Sequence, residues 1–361
     1  MINEERLLNT LLTLVRIDSP SGEEAVIAQE LATRLRHLGL TVELDPLQNL
    51  VATLPGQGNP FLLAAHMDTV MPGRGIRPVV RDQVVYSDGT TILGSDDKAG
   101  IAVMLEVLQC LVEQNLPHPP IEVVITVKEE LGLVGAKGLD LSRLQARIGI
   151  SLDCGGPAGT IVVSAPSQDS IFAVVHGIAA HAGAHPELGI NAIVVAAEAI
   201  HHMRLGRLDE ETTANIGIIH GGIARNVVPD RVELTGEARS RELAKLEAQT
   251  AHMVQALHSA AQQFKTTADV QVTRAYTGYA FTEKNAIVGQ LMAACRAAGV
   301  EPHLTATGGG SDANIYNAQG MQVVNTSMGT AGEHTTGERV AISDMATCAR
   351  IVLHCLRGVA F

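Results

Sequence analysis

The sequence predicts an α/β fold, a mixed sheet with helices on both faces, interrupted by a smaller inserted α+β domain. Three observations predict it. Short apolar runs alternate with helical stretches up to residue 153 and again from about residue 284. Between 167 and 279 the order changes to βαββαβ. The length, 361 residues, exceeds what one ordinary core organises. The expected division is a principal domain of 1–166 and 280–361, with 167–279 inserted.

The elements follow in order. Residues 3–16 and 23–38 have helical spacing and are separated by the IDSPSG loop, and Gly39 ends the second helix. FLLAA (61–65) reads as a buried strand and AGIAVMLEVLQCLVEQ (99–114) as a helix, followed by strands IEVVITV (121–127) and IGISLD (148–153). In the middle, strand 169–177, helix 191–203, strands 212–222 and 231–240, helix 241–264 and strand 268–279 make the two-layer unit, described as ferredoxin-like. A helix near 284–298, the loop TGGGSDAN, strand QVVNTS and a final helix complete the chain.

Hydrophobic residues make up 46% of the chain and aromatics only 2%, so aliphatic side chains must fill the core. A formal net charge of −12 argues against nucleic acid and anionic membrane surfaces as partners. The N-terminal stretch is amphipathic and acidic where a signal peptide is basic, and the five scattered cysteines include no CxxC pair. The expectation is a cytoplasmic protein with reduced thiols.

Chemistry-bearing residues recur where strands end and loops begin, the place where side chains from a parallel sheet can converge. HMD puts His66 and Asp68 two apart beyond a strand, so Asp68 can orient an imidazole that binds a cation. SDDKAG puts Asp96 and Asp97 before a helix, where an acid also serves as an ordinary cap. KEELG ends a strand with Glu129 and Glu130, SLD ends another with Asp153, and GEH carries His334 in a glycine-rich loop. Each alone has a plain structural reading. Together, two imidazoles and several carboxylates without cysteine suit zinc, manganese or cobalt at a hydrolytic centre.

With these motifs laid out, the chain resembles the M20 metallopeptidases over essentially its whole length, and within them the tripeptidase-T-like aminopeptidases. The resemblance implies a zinc-peptidase-type mixed sheet and two divalent metal ions. His66, Asp96 and Asp153 would bind one ion, and Asp96, Glu130 and His334 the other, with Asp96 bridging. Asp68 would orient His66, and Glu129 would be the general base acting on a shared water. The peptide between Asp96 and Asp97 would be cis. GIAAHAG resembles the family's lid motif, in which His181 reaches a dimer partner's active site. NVVP and GEARS would supply Asn226 and Arg239 to the substrate carboxylate, and GGGSDAN, with Gly309, Gly310 and Ser311, would form a substrate loop. Asp153 at its position points to the aminopeptidase and dipeptidase branch.

The implied activity is cleavage of short peptides from the N-terminus by a homodimer joined through the inserted domain. Three other readings compete. An amidohydrolase on N-acyl amino acids would use the same metals. A non-catalytic binding protein would be expected to have lost the base or a ligand, yet all are in place. A nucleotide-binding protein is disfavoured because no GxGxxG follows the first strand and no Walker lysine is present.

Overall fold

The computed structural model describes residues 1–358 and divides into two compact units. One comprises Met1–Val163, Ala280–Ala306 and residues 311–358; the other comprises Ser164–Tyr279 and Thr307–Gly310. Residues 307–310 group with the second unit for a local reason. Thr307 N donates to Ser164 O at 2.9 Å, and Gly310 packs so closely on the Tyr276 ring that an added Cβ would lie 2.3 Å from it.

In the first unit, four parallel strands form the centre of a mixed sheet in the order Ile121–Thr126, Phe61–His66, Ile148–Cys154 and Gln322–Ser327. Their near-continuous apolar sequences follow from burial on both faces. Phe61, Leu62 and Leu63 are fully buried, and each such side chain contributes roughly 1.5–3 kcal/mol by leaving water. Antiparallel strands Leu50–Leu54 and Thr160–Ala165 flank this centre, and Thr41–Leu44 extends it. Helices Glu4–Val15, Ala25–His37, Ser95–Glu113, Ala286–Ala297 and Ile342–Arg357 contribute to its main apolar cluster. Because the central strands are parallel, their carboxyl ends share one edge. His66, Thr126, Asp153 and Ser327 all lie at or beside it.

The second unit has the predicted element order, with a two-residue strand, Gly206–Arg207, added before strand Thr212–Gly221. Its strands Thr212–Gly221, Arg231–Ser240, Ser167–His176 and Ala268–Tyr276 are antiparallel neighbours in that order. Helices Ala192–His202 and Leu243–Gln263 complete a second, separate core. The sequence pattern overlooks the hairpin of residues 41–54, strands Thr160–Ala165 and His303–Ala306, and a small sheet of Val79–Arg81, Val84–Tyr86, Thr330–Ala331 and Arg339–Ala341. Most of these strands are too short for a two-residue alternation to register.

The helix expected from residue 99 is assigned from Ser95, but Asp96 and Asp97 are not helical and the peptide between them is cis. Gly94 precedes them with φ +68°, a conformation that favours glycine. Gly100 has a different function. A Cβ there would lie 2.2 Å from both Asp97 Oδ1 and Leu152 O, so the helix can press onto strand Ile148–Cys154 only through a hydrogen.

Gly100→Ala is therefore expected to lower unfolding free energy by about 1–3 kcal/mol through overpacking. Gly289→Ala, in a helix where the nearest neighbour of the added carbon is 3.8 Å away, should raise it by about 0.5–1 kcal/mol. Denaturant midpoints of the two variants check the contrast.

Candidate active site

At the shared strand edge, strand ends and loops bring five sequence-predicted residues into two sets that overlap at Asp96, His66–Asp96–Asp153 and Asp96–Glu130–His334, with donor atoms within 4.8 Å of one another in each; His66, Glu129 and Glu130 form a third such group. Asp96 belongs to both. Its Oδ1 lies 3.1 Å from His66 Nε2, and its Oδ2 lies 3.3 Å from His334 Nε2. His66 Nε2 is 3.8 Å from Asp153 Oδ1, and His334 Nε2 is 2.8 Å from Glu130 Oε1. A tetrahedral site with bonds of about 2.0 Å has donor–donor edges of ~3.3 Å. The spacing and the mixture of imidazole and carboxylate thus fit two divalent cations sharing Asp96.

Each residue is held by its local structure. His66 and Asp153 sit on strands, and Asn325 on the neighbouring strand clamps Asp153, accepting from its N–H at 3.0 Å and donating to its carbonyl at 2.6 Å. His334 occupies the left-handed region at φ +62°, in a loop where Thr335 N bonds back to Gly332 O. Asp68, fully buried, lies 3.4 Å from His66 Nδ1, an ion-pair distance rather than a well-aimed hydrogen bond. Its oxygens accept from the backbone N–H groups of Glu129 at 2.9 Å and Glu130 at 3.2 Å, and from Ser21 Oγ at 2.6 Å. Glu129 is itself buried.

The electrostatics follow from packing acids together away from water. Burial, reinforced by the charge of Asp153, holds the Glu129 carboxyl well above its ordinary range. Burial and the neighbouring acids do the same to Asp153 and Asp97. Asp96 is also opposed by burial, but its hydrogen bonds to His334 and His66 prevail and lower it. His334 is raised to about 10 by Asp96 and Glu130. For His66, burial works downward, yet Asp68, Asp96 and further acids raise it overall.

His181, Asn226, Arg239, Gly309 and Gly310 belong to the second unit, whereas Ser311 belongs to the first. The His181 and Asn226 segments pair, since Ala182 N donates to Asn226 O and Val228 N to Ala180 O. His181 Nδ1 accepts from the N–H groups of Gly183 and Ala184, so a neutral ring carries its proton on Nε2. Arg239 is engaged by Glu237 through two bonds of 2.9 Å. Ser311 is buried at the start of helix Asp312–Ala318, where its N–H donates to Asn314 Oδ1.

Sequence reasoning passed over three supporting residues. Asn325 lies inside a strand and carries no motif. Asp312, buried, accepts a hydrogen bond from Thr126 Oγ1 and is pushed up to about 6 by burial. Glu338, four residues after His334, is buried against the Asp96 loop. The only signal for Asp312 and Glu338 was an acid inside a glycine-rich motif already assigned another purpose.

The family model for peptidase family M20/M25/M40 matches residues 62–358. The YqjE protein of Bacillus subtilis strain 168 is 42% identical over 363 residues, which cover 98% of each chain. Among solved structures, a tripeptidase from Staphylococcus aureus superposes with a TM-score of 0.93 at 43% identity, covering 99% of this chain and 98% of that one. An aminopeptidase PepT from Bacillus cereus does so with a TM-score of 0.88 at 43% identity and the same coverage.

The shifts set a pH dependence for metal-free protein. Groups that hold protons more tightly when folded lose their stabilising effect as pH rises through their folded values. His334 acts this way between 6.5 and about 10, and His66, Asp97, Glu129 and Asp153 act in the same direction. The lowered Asp68 and Asp96 act oppositely, but only below the ordinary carboxylate value of 3.8. Chelator-treated protein should therefore lose Tm steadily as the pH is raised above neutrality, and added divalent metal should flatten the slope. A Tm that climbs with pH, or equal slopes with and without metal, contradicts this account.

Proposed function

The chain belongs to peptidase family M20/M25/M40, and from that premise we propose that it is a di-metal aminopeptidase that removes residues from the N-termini of short peptides, tripeptides among them. The observation that carries this reading is Asp96, which offers one oxygen to each of two imidazole–carboxylate sets beside the buried Glu129. Similarity to an aminopeptidase PepT and to a tripeptidase over nearly the whole chain supports it.

In this reading His66, Asp96 and Asp153 hold one divalent ion, and Asp96, Glu130 and His334 hold the other. Zinc is the preferred ion, and cobalt and manganese suit the same donors. When bound, two such ions polarise the scissile carbonyl and bring the pKa of water towards neutrality. Glu129 takes the proton of the attacking water and returns it to the leaving amine. Its raised pKa suits that exchange, because a base must also act as an acid later in the same cycle. Asp68 keeps His66 and the Glu129–Glu130 backbone in register. His181, with its proton on Nε2, donates to the oxyanion. Asn226 and Arg239 receive the substrate carboxylate, for which Arg239 must exchange or share its bonds to Glu237. Gly309, Gly310 and Ser311 offer the substrate mainly backbone.

The same reading includes a homodimer in the cytoplasm. Among the described residues no helix is long and apolar enough to cross a membrane. Strand Thr212–Gly221 is paired on one side by Gly206–Arg207 only at Thr213 and Ala214. Its remaining edge, with Ile218 and Ile219 about half exposed, suits pairing with a second copy across a two-fold axis.

Two experiments test the proposal. Glu129→Ala should keep both metals and lose turnover by about 10²–10⁴-fold, while His334→Ala should lose one metal. The metal-loaded enzyme should cleave unblocked tripeptides and leave N-acetylated peptides and N-acyl amino acids intact. The reverse preference would establish the amidohydrolase reading. For assembly, Glu129→Ala and His181→Ala proteins, each nearly inactive, are co-expressed. If His181 serves the partner's site, half the dimers are mixed and each mixed dimer has one working site, so roughly a quarter of wild-type activity returns. Absence of recovery in mixed dimers verified by mass would place His181 within its own subunit's chemistry or outside it.

A further inference from the structure

We propose that Glu338 is a positioning residue of the metal centre: it fixes the backbone of residues 93–96 so that Asp96 meets His334, and thereby sets the affinity of the cation held by Asp96, Glu130 and His334. The inference rests on the di-metal reading above.

The Glu338 side chain is a buried carboxylate, 1% exposed, and its whole acceptor capacity goes to one loop. Oε2 accepts from Leu93 N at 2.9 Å and Gly94 N at 2.8 Å. Oε1 accepts from Ser95 Oγ at 2.6 Å and Asp96 N at 2.9 Å. Lys98, itself fully buried and donating to Ile17 O at 2.8 Å, brings positive charge to the same loop, which makes a buried carboxylate tolerable there.

An acid at the start of a helix is ordinarily a cap. Glu338 differs in two respects. The groups it binds belong to residues 93–96, upstream of regular helix, since Asp96 and Asp97 are not helical and Gly94 is left-handed. Those residues set the direction of the Asp96 carboxylate. Glu338 also comes from the loop that carries His334, closed by Thr335 N to Gly332 O and Glu338 N to Thr335 O. One short loop therefore supplies a ligand and, four residues later, clamps the loop of the next ligand. The 3.3 Å approach of His334 Nε2 to Asp96 Oδ2 depends on that clamp. The other set shares Asp96, but its remaining members, His66 and Asp153, are fixed on adjacent strands of the sheet. Loosening Glu338 should thus harm one cation more than the other.

The test is Glu338→Gln, which keeps the shape but turns one acceptor oxygen into a donor facing N–H or O–H groups. Metal-free protein is titrated with Co²⁺, followed by equilibrium dialysis and by the visible absorption of bound cobalt. The first equivalent should bind within about threefold of wild type and the second about 10–100-fold more weakly, with an altered absorption spectrum for the second ion. His334→Ala, which removes the loop's ligand outright, provides the reference for a lost second ion. Should Glu338→Gln fail to fold, Glu338→Asp keeps the charge and withdraws it by one methylene, and the same selective loss is expected. Two wild-type equivalents in a folded variant, or both ions weakened alike, would overturn the proposal. Fewer than two cobalt ions in the wild type would instead defeat the di-metal reading on which it rests.

Discussion

The first unit is organised around one electrostatic constraint: several carboxylates are packed at the carboxyl edge of a parallel sheet, and their ion-pair partners there are two imidazoles. Like charges in a low-dielectric setting repel strongly, so the arrangement persists only where surrounding structure over-determines it. That explains why the candidate donors are backed by a set of supporting residues. Asn325 clamps Asp153, Asp97 accepts from the His66 N–H at 3.0 Å, Asp68 gathers the Glu129 and Glu130 backbone, and Glu338 holds the loop before Asp96. Each is a hydrogen bond to backbone, which is the economical way to aim a side chain without adding a competing ligand.

The small residues of the motifs answer the same constraint from the packing side. Gly100 lets the helix after the Asp96–Asp97 step lie on the strand that ends in Asp153, so two donor-bearing segments come closer than any side chain would allow. Gly94 supplies the left-handed turn that delivers residues 95–97 to the sheet edge. The motif SDDKAG is thus a description of a backbone path as much as a list of ligands. Its lysine balances buried charge, its glycine grants approach, and its first aspartate is what the path exists to place.

How much of this was legible in the sequence depends on how each residue announces itself. The strands 61–66, 121–126 and 148–154 were plain because burial on both faces leaves near-continuous apolar runs, and the polar residues at or just beyond their ends stand out against that background. The candidate donors could be gathered because His66, Glu130 and Asp153 lie at or just beyond the ends of parallel strands, where topology brings them together, and Asp96 and His334 stand in short motifs beside them. Short strands such as Val79–Arg81 and Thr330–Ala331 left no readable period. The supporting residues were illegible for another reason. Asn325 and Glu338 act through contacts to backbone 172 and more than 240 residues away, and no local pattern encodes a partner at such separation. The Glu237 partner of Arg239 lay two residues off in a strand, a spacing that places side chains on one face, and was visible in principle.

Asp68 links the two halves of the chemistry. The carboxylate that faces His66 Nδ1 also accepts from the N–H groups of Glu129 and Glu130, so members of both candidate cation sets and the adjoining Glu129 are referred to a single buried group. Full burial keeps water from competing for those bonds, and the His66 and Ser21 contacts lower the Asp68 pKa despite the cost of burial, keeping it ionised as an acceptor. A displacement of Asp68 would therefore move His66 and Glu129 together rather than separately. Positions that must be correct relative to one another are better fixed by one shared anchor than by several independent ones, because the errors of a shared anchor cancel in their difference. The same logic fits Glu338, which sits on the loop of His334 while it holds the loop of Asp96.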